Sequence, residues 1–93
     1  MYKVELEEAI AERVGIPKRQ SRRVLEATLE TIIDALESGE SVKLSGFGSF
    51  EVMTRAGRKG RNLQTGAEID IPPVRTVVFK PGKTLKRIVA GQS

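Results

Sequence analysis

The chain contains no cysteine, no histidine and no tryptophan, and only 4 % of its 93 residues are aromatic. Without thiols it forms no disulfide, and without Cys and His together it loses nearly every structural zinc site. The same gaps remove thiol nucleophiles, an imidazole base that titrates near neutrality, and His-bearing metal centres. Redox chemistry and hydrolytic triads are therefore excluded, and no catalytic residue, metal ligand or cofactor is assigned. No apolar run approaches the ~18 residues of a membrane span. The first ten residues, MYKVELEEAI, carry three glutamates, where a signal peptide needs a basic and then an apolar stretch. The expectation is a cytoplasmic protein with no membrane partner.

What is present points to partners. A chain of this length makes one domain, residues 1–93, and buries only a little over ~60 % of its unfolded surface. With crosslinks and metals excluded, a second subunit is the remaining way to enlarge so marginal a core. Sixteen Lys and Arg against twelve Asp and Glu give a net charge of +4, and the charge is unevenly placed. Residues 1–50 hold seven basic and nine acidic side chains, net −2, whereas residues 51–93 hold nine basic and three acidic, net +6. Arg55, Arg58, Lys59 and Arg61 fall together with no acid among them. Such a field draws in polyanions and weakens with salt; a solvated basic loop is the plainer alternative.

Along the chain, Val4, Leu6, Ala9, Ile10, Ala11 and Val14 recur at helical spacing and Gly15 stops the run, predicting a short helix over residues 3–14. Pro17 reads as a first-turn proline opening a second helix to about residue 37. Its stripe Leu25, Leu29, Ile32, Leu36 would run about 30 Å at ~1.5 Å per residue. One short helix and one small sheet do not cover such a stripe, so part of it is expected to meet the same helix of a second chain. Four cations in its first turns, Lys18, Arg19, Arg22 and Arg23, oppose the helix dipole; they face either phosphate or solvent.

The helical base thus covers residues 1–39. Val42, Leu44, Phe50 and Val52 alternate with polar residues on either side of a Gly46-Phe47-Gly48 bend, a hairpin. Val74, Val77, Val78 and Phe79 supply a third strand, giving a short antiparallel sheet from 40–52 and 74–80. Pro81-Gly82 then precedes a C-terminal helix within 81–91. The fold class is α+β.

Residues 53–73 carry few large aliphatic side chains and cannot be core. Ile69 and Ile71 alternate with Glu68 and Asp70, and Gln64-Thr65-Gly66-Ala67 is turn-like, so the segment reads as a protruding two-stranded β-ribbon with its tip at residues 62–66. A ribbon of this kind fits a nucleic-acid groove, and a symmetric pair would embrace a duplex from both sides. Leu63, apolar at a polar tip, is the candidate intercalating wedge.

Three segments, Gly46-Phe47-Gly48-Ser49-Phe50-Glu51-Val52, then Arg58-Lys59-Gly60-Arg61-Asn62-Leu63-Gln64-Thr65-Gly66, then Phe79-Lys80-Pro81-Gly82-Lys83, resemble the signature stretches of the bacterial HU and integration-host-factor family of histone-like DNA-bending proteins. The resemblance spans essentially the whole chain. It implies an intertwined dimer with Leu29, Ile32, Leu36, Leu44, Phe47, Phe50 and Phe79 in a shared core, located in the bacterial nucleoid. Arg55, Arg58, Lys59, Arg61, Asn62 and Leu63 would lie along double-stranded DNA on the arm, and Lys3, Lys18, Lys80, Lys83 and Lys86 on flanking phosphates. Bent, nicked or flexible duplex would be preferred. The family usually has proline where this chain has Leu63, which predicts retained binding with a less sharply defined kink. Tyr2 and Met53 also depart from its usual residues.

Other classes make distinct expectations. The carboxylate pairs Glu5 with Glu8 and Glu68 with Asp70 are the candidates for a metal-dependent nuclease, but they read better as a solvated helix face and one face of the ribbon. An RNA-binding or non-bending nucleoid scaffold shares the phosphate attraction and differs in groove fit. A site-preferring subunit, as homodimer or heterodimer, differs in how it reads DNA deformability.

Overall fold

The computed structural model describes residues 1–91, of which the Arg58 side chain is outside the described set. It resolves into two compact units, Met1–Ala35 and a second beginning at Leu36.

The first unit is a helix pair. Helix α1 spans Lys3–Val14. Tyr2 is a poor capping side chain, but its backbone N–H donates to Glu5 Oε1 at 3.1 Å, so the glutamate in the first turn supplies the cap and also suits the dipole. The helix ends where Gly15 turns left-handed, φ 79°, and donates to the Ala11 carbonyl. Helix α2 spans Lys18–Glu37. Pro17 stands just outside it and not within its first turn: its carbonyl accepts from Gln20 and Ser21 at 3.0 and 3.1 Å, and its missing N–H is not needed there. Ser21 of α2 is fully buried, and its Oγ donates to the Glu7 carbonyl of α1 at 2.7 Å. The small hydroxyl satisfies itself on the neighbouring backbone and leaves no buried polar atom orphaned. Leu25 is the one buried apolar side chain among the described residues.

The second unit is β. Strands β1 (Val42–Leu44), β2 (Gly48–Arg55) and β5 (Val74–Pro81) form an antiparallel sheet in the order β1-β2-β5, while β3 (Arg58–Arg61) and β4 (Glu68–Ile71) form a separate antiparallel ribbon. Helix α3, Lys83–Val89, follows. The β1–β2 bend places Gly46 at φ 79°. Gly48 is required for a different reason: a Cβ there would lie 2.6 Å from the Lys80 carbonyl oxygen.

Register sorts the sheet into two faces. Val42, Phe50 and Phe79 lie side by side, as do Val52 and Val77, and the Phe47 and Phe50 rings sit 5.6 and 5.0 Å from Phe79, a tilted aromatic cluster. Lys43, Ser49 and Lys80 align on the opposite face. The β2–β5 ladder continues through Arg55 opposite Val74, so residues 53–55 belong to the sheet and not to the arm. The break has a physical cause. Pro72 and Pro73 offer no N–H to a ladder, and opposite them a Cβ on Gly57 would lie 2.8 Å from the Ile71 carbonyl oxygen. Pairing resumes at Arg58 opposite Ile71. Among the described residues no helix is long and apolar enough to cross a membrane.

Candidate nucleic-acid interface

The ribbon is built by alternation. Lys59 pairs with Asp70 and Arg61 with Glu68, so these four share one face, whereas Gly60 and its partner Ile69 share the other with Ile71. Lys59 Nζ approaches Glu68 Oε2 at 3.9 Å with both groups exposed, a pair contributing at most about 1 kcal/mol. Gly60 lets the isoleucines lie flat, since a Cβ there would meet Ile71 Cδ1 at 2.8 Å. The backbone of Arg58 is on β3 opposite Ile71; its side chain is outside the described set. Arg55 ends β2 at the foot of the ribbon.

The tip is held by its own hydrogen bonds. Asn62 N–H donates to the Ala67 carbonyl at 2.8 Å and Gly66 N–H to the Asn62 carbonyl at 2.7 Å. Gln64 N–H donates to Asn62 Oδ1 at 2.9 Å, an Asx turn, and Gly66 supplies the positive φ of 69°. Asn62 therefore shapes the tip with its carbonyl oxygen and keeps its amide donors. Leu63 is left 98 % exposed.

On the sheet unit, Lys43, Ser49, Lys80 and Lys83 line a shallow concavity around the β1–β2 bend. Lys80 Nζ is 3.3 Å from Glu51 Oε2, which also accepts from Ser49 Oγ. Lys83 and Lys86 lie on α3 and are exposed; among the described residues neither they nor Arg55 and Arg61 have a carboxylate within ion-pair distance. Lys43 is missing from the sequence assignment, although its alternation between Val42 and Leu44 already puts it on the polar face.

Lys3 and Lys18 belong to the helical unit and are engaged there. Lys18 Nζ binds Glu8 Oε1 at 2.7 Å, and Lys3 Nζ lies 3.8 Å from Glu26 Oε1, which also holds Arg22 Nε at 3.2 Å. Both lysines thus tie α1 to α2 in the free chain. The proposed shared-core residues are not enclosed within one chain: Leu29 is 40 %, Phe47 46 % and Phe79 39 % exposed, with Leu44 exposed and Ile32, Leu36 and Phe50 half-buried. Among the described residues no group of three or more acidic side chains is placed to hold a metal ion.

The sequence matches the family described as bacterial DNA-binding protein over residues 1–90. It is similar to DNA-binding protein HU 1 of Bacillus subtilis (strain 168), 48 % identical over 92 residues, covering 99 % of this chain and 100 % of that protein. It is 51 % identical over 89 residues to the SPbeta prophage-derived DNA-binding protein HU 2 of the same organism, covering 96 % and 97 % of the two chains. Among solved structures it is similar to HU in the Anabaena HU–DNA cocrystal, with TM-score 0.86, 47 % identity, and coverage of 97 % of this chain and 98 % of that one.

Proposed function

Because the chain belongs to the HU and integration-host-factor family of bacterial DNA-binding proteins, we propose that it works as a dimer whose two ribbons grip the minor groove of duplex DNA. It is a non-catalytic, architectural DNA-binding protein of the histone-like kind, serving bacterial chromosome organisation. In our reading it resides in the cytoplasmic nucleoid, and its arms bend, wrap or compact DNA with little sequence preference, because the minor groove offers a degenerate acceptor pattern.

One observation carries this reading: Leu63, 98 % exposed, stands at the end of a cationic ribbon on a turn closed by its own hydrogen bonds. Water gains nothing from a leucine held out so firmly, whereas an apolar side chain entering a base step is transferred out of water and holds the duplex open. Lys59, Arg61, Arg55 and Arg58 would follow the phosphate walls behind it. Asn62 would use its free amide donors in the groove. Lys43, Lys80, Lys83 and Lys86 would take phosphates beside the sheet, and Lys3 and Lys18 flanking phosphates after exchanging Glu26 and Glu8 for DNA.

Burial supports the dimer. A chain with one buried apolar side chain among its described residues lacks a core of its own, and a second copy that covers Leu29, Ile32, Leu36, Leu44, Phe47, Phe50 and Phe79 would supply one. A homodimer meets this need most simply, and a related chain with the same faces would meet it as well.

The test is competition among duplexes of equal length at one salt concentration. Nicked DNA should bind more tightly than intact DNA, and intact DNA more tightly than double-stranded RNA, whose A-form groove does not admit the ribbon in the same way. Equal affinity for all three would remove the bending mechanism.

A further inference from the structure

Arg75 is one of the basic residues that the phosphate-gripping account does not use, and its position on the sheet sets it apart from those on the helices. It is the second residue of β5, directly after the Pro72-Pro73 break, and pairs with Thr54. Register puts it in the row of Val77 and Phe79, on the face opposite Lys43, Ser49 and Lys80. From there its guanidinium Nη2 donates to the Leu36 carbonyl at 3.3 Å and the Glu37 carbonyl at 3.2 Å. These are end carbonyls of α2, at the negative end of the dipole; the Leu36 carbonyl also accepts from the Gly39 N–H at 3.0 Å, and Arg75 adds a charged donor to both. The last turn of α2 contains no basic residue of its own. A cation from a strand thirty-eight residues further along supplies it.

We propose that Arg75 is a positioning residue for DNA bending: by clasping the end of α2 it fixes the strand on which the arm is rooted, and it makes no phosphate contact. This rests on the DNA-gripping reading above. The β2–β5 ladder ends one pair beyond Arg75, at Arg55 opposite Val74, and the ribbon starts only after the Pro72-Pro73 and Ala56-Gly57 interruption. The clasp is thus adjacent to the point where the arm pivots. With the foot held, insertion at the tip is converted into one defined bend; with the foot loose, the same insertion is spread over many angles.

The experiment compares the natural chain with Arg75→Gln, Arg75→Lys and Lys59→Gln on a nicked duplex, measuring the salt slope of affinity, the spread of bend angles by single-pair fluorescence transfer, and amide exchange of the free protein. Arg75→Gln should keep the salt slope, widen the bend distribution, and lower protection of the amides around Arg55 and Val74 by ~10-fold, as expected for losing hydrogen bonds from a charged donor. Arg75→Lys, a point charge without the guanidinium fork, should fall between. Lys59→Gln removes one cation from each arm of the dimer, so it should reduce the slope by about two and leave the exchange near Val74 alone. Arg75→Gln behaving like Lys59→Gln would make Arg75 a phosphate contact and overturn the proposal, and so would unchanged spread and protection. Phe79→Leu separates positioning from general loosening: if it widens the bend distribution as much as Arg75→Gln does, the proposal fails. A natural chain that binds no DNA would refute the DNA-gripping reading instead, while the exchange data would still decide whether the clasp holds the strand.

Discussion

Replacing Leu63 with alanine removes the proposed wedge and little else. The side chain is 98 % exposed, so the free protein should melt within about 0.5 kcal/mol of the natural chain. On DNA, the proposed insertion moves the same side chain from water into a base step. Fully burying a leucine is worth about 1.5–3 kcal/mol, and its truncation to alanine forfeits about 1–2 kcal/mol of that. The proposed dimer presents two tips, so the loss doubles to about 2–4 kcal/mol, roughly 30- to 900-fold in Kd for a duplex kinked at both sites. Binding to a rigid duplex, where insertion is resisted, should change much less, and the salt slope should not change at all because no cation is touched. Fluorescence anisotropy on nicked and intact duplexes at matched salt reads both quantities. Refutation would be a Leu63→Ala protein that binds nicked DNA as tightly as the natural chain, or one that loses the same factor on both duplexes. Leu63→Pro, in contrast, should keep the affinity and narrow the bend-angle distribution, because proline fixes the backbone φ at the tip.

Three further perturbations probe separate parts of the account. Glu8→Gln with Glu26→Gln frees Lys18 and Lys3 from their ion pairs, and affinity for long duplexes should rise several-fold at low salt with the gain shrinking as salt is added; electrophoretic mobility titrations would show it. Gly60→Val puts a side chain where Ile71 already stands, 2.8 Å from its Cδ1, so DNA binding should weaken while the thermal unfolding of the remainder is preserved. Phe79→Ala removes the ring that touches both Phe47 and Phe50. It should cost about 3–5 kcal/mol and make unfolding depend more steeply on protein concentration in calorimetry.

The elements were legible because they follow from local chemistry. Gly15 and Gly39 stop helices, Gly46 makes the bend with φ 79°, and alternation around Phe50 and Ile69 sets strand faces that the register repeats. The ribbon was legible from what it lacks, enough aliphatic residues to be core. Its true foot was not, since the ladder runs on to Arg55 and Val74 until the Pro72-Pro73 pair withholds its donors. The cationic cluster on the arm was likewise visible as sequence. The partners of the body lysines were not, because Lys3 and Lys18 meet Glu26 and Glu8 only once α1 and α2 are packed. Lys43 and Arg75 show the same limit. Strand pairing across distant segments aligns Lys43 with Lys80 through Ser49 and gives Arg75 its hold on α2; alternation sets which face Lys43 takes, but no local pattern encodes these neighbours.

The central claim is that this chain grips duplex DNA through many phosphates at once, and the dependence of affinity on salt tests it most directly. If a dimer's arms and sheet neutralise roughly six to ten phosphates, the binding constant should fall by ~10³ to ~10⁵ between about 50 and 200 mM monovalent salt. A binding constant that stays flat across that range would contradict the claim.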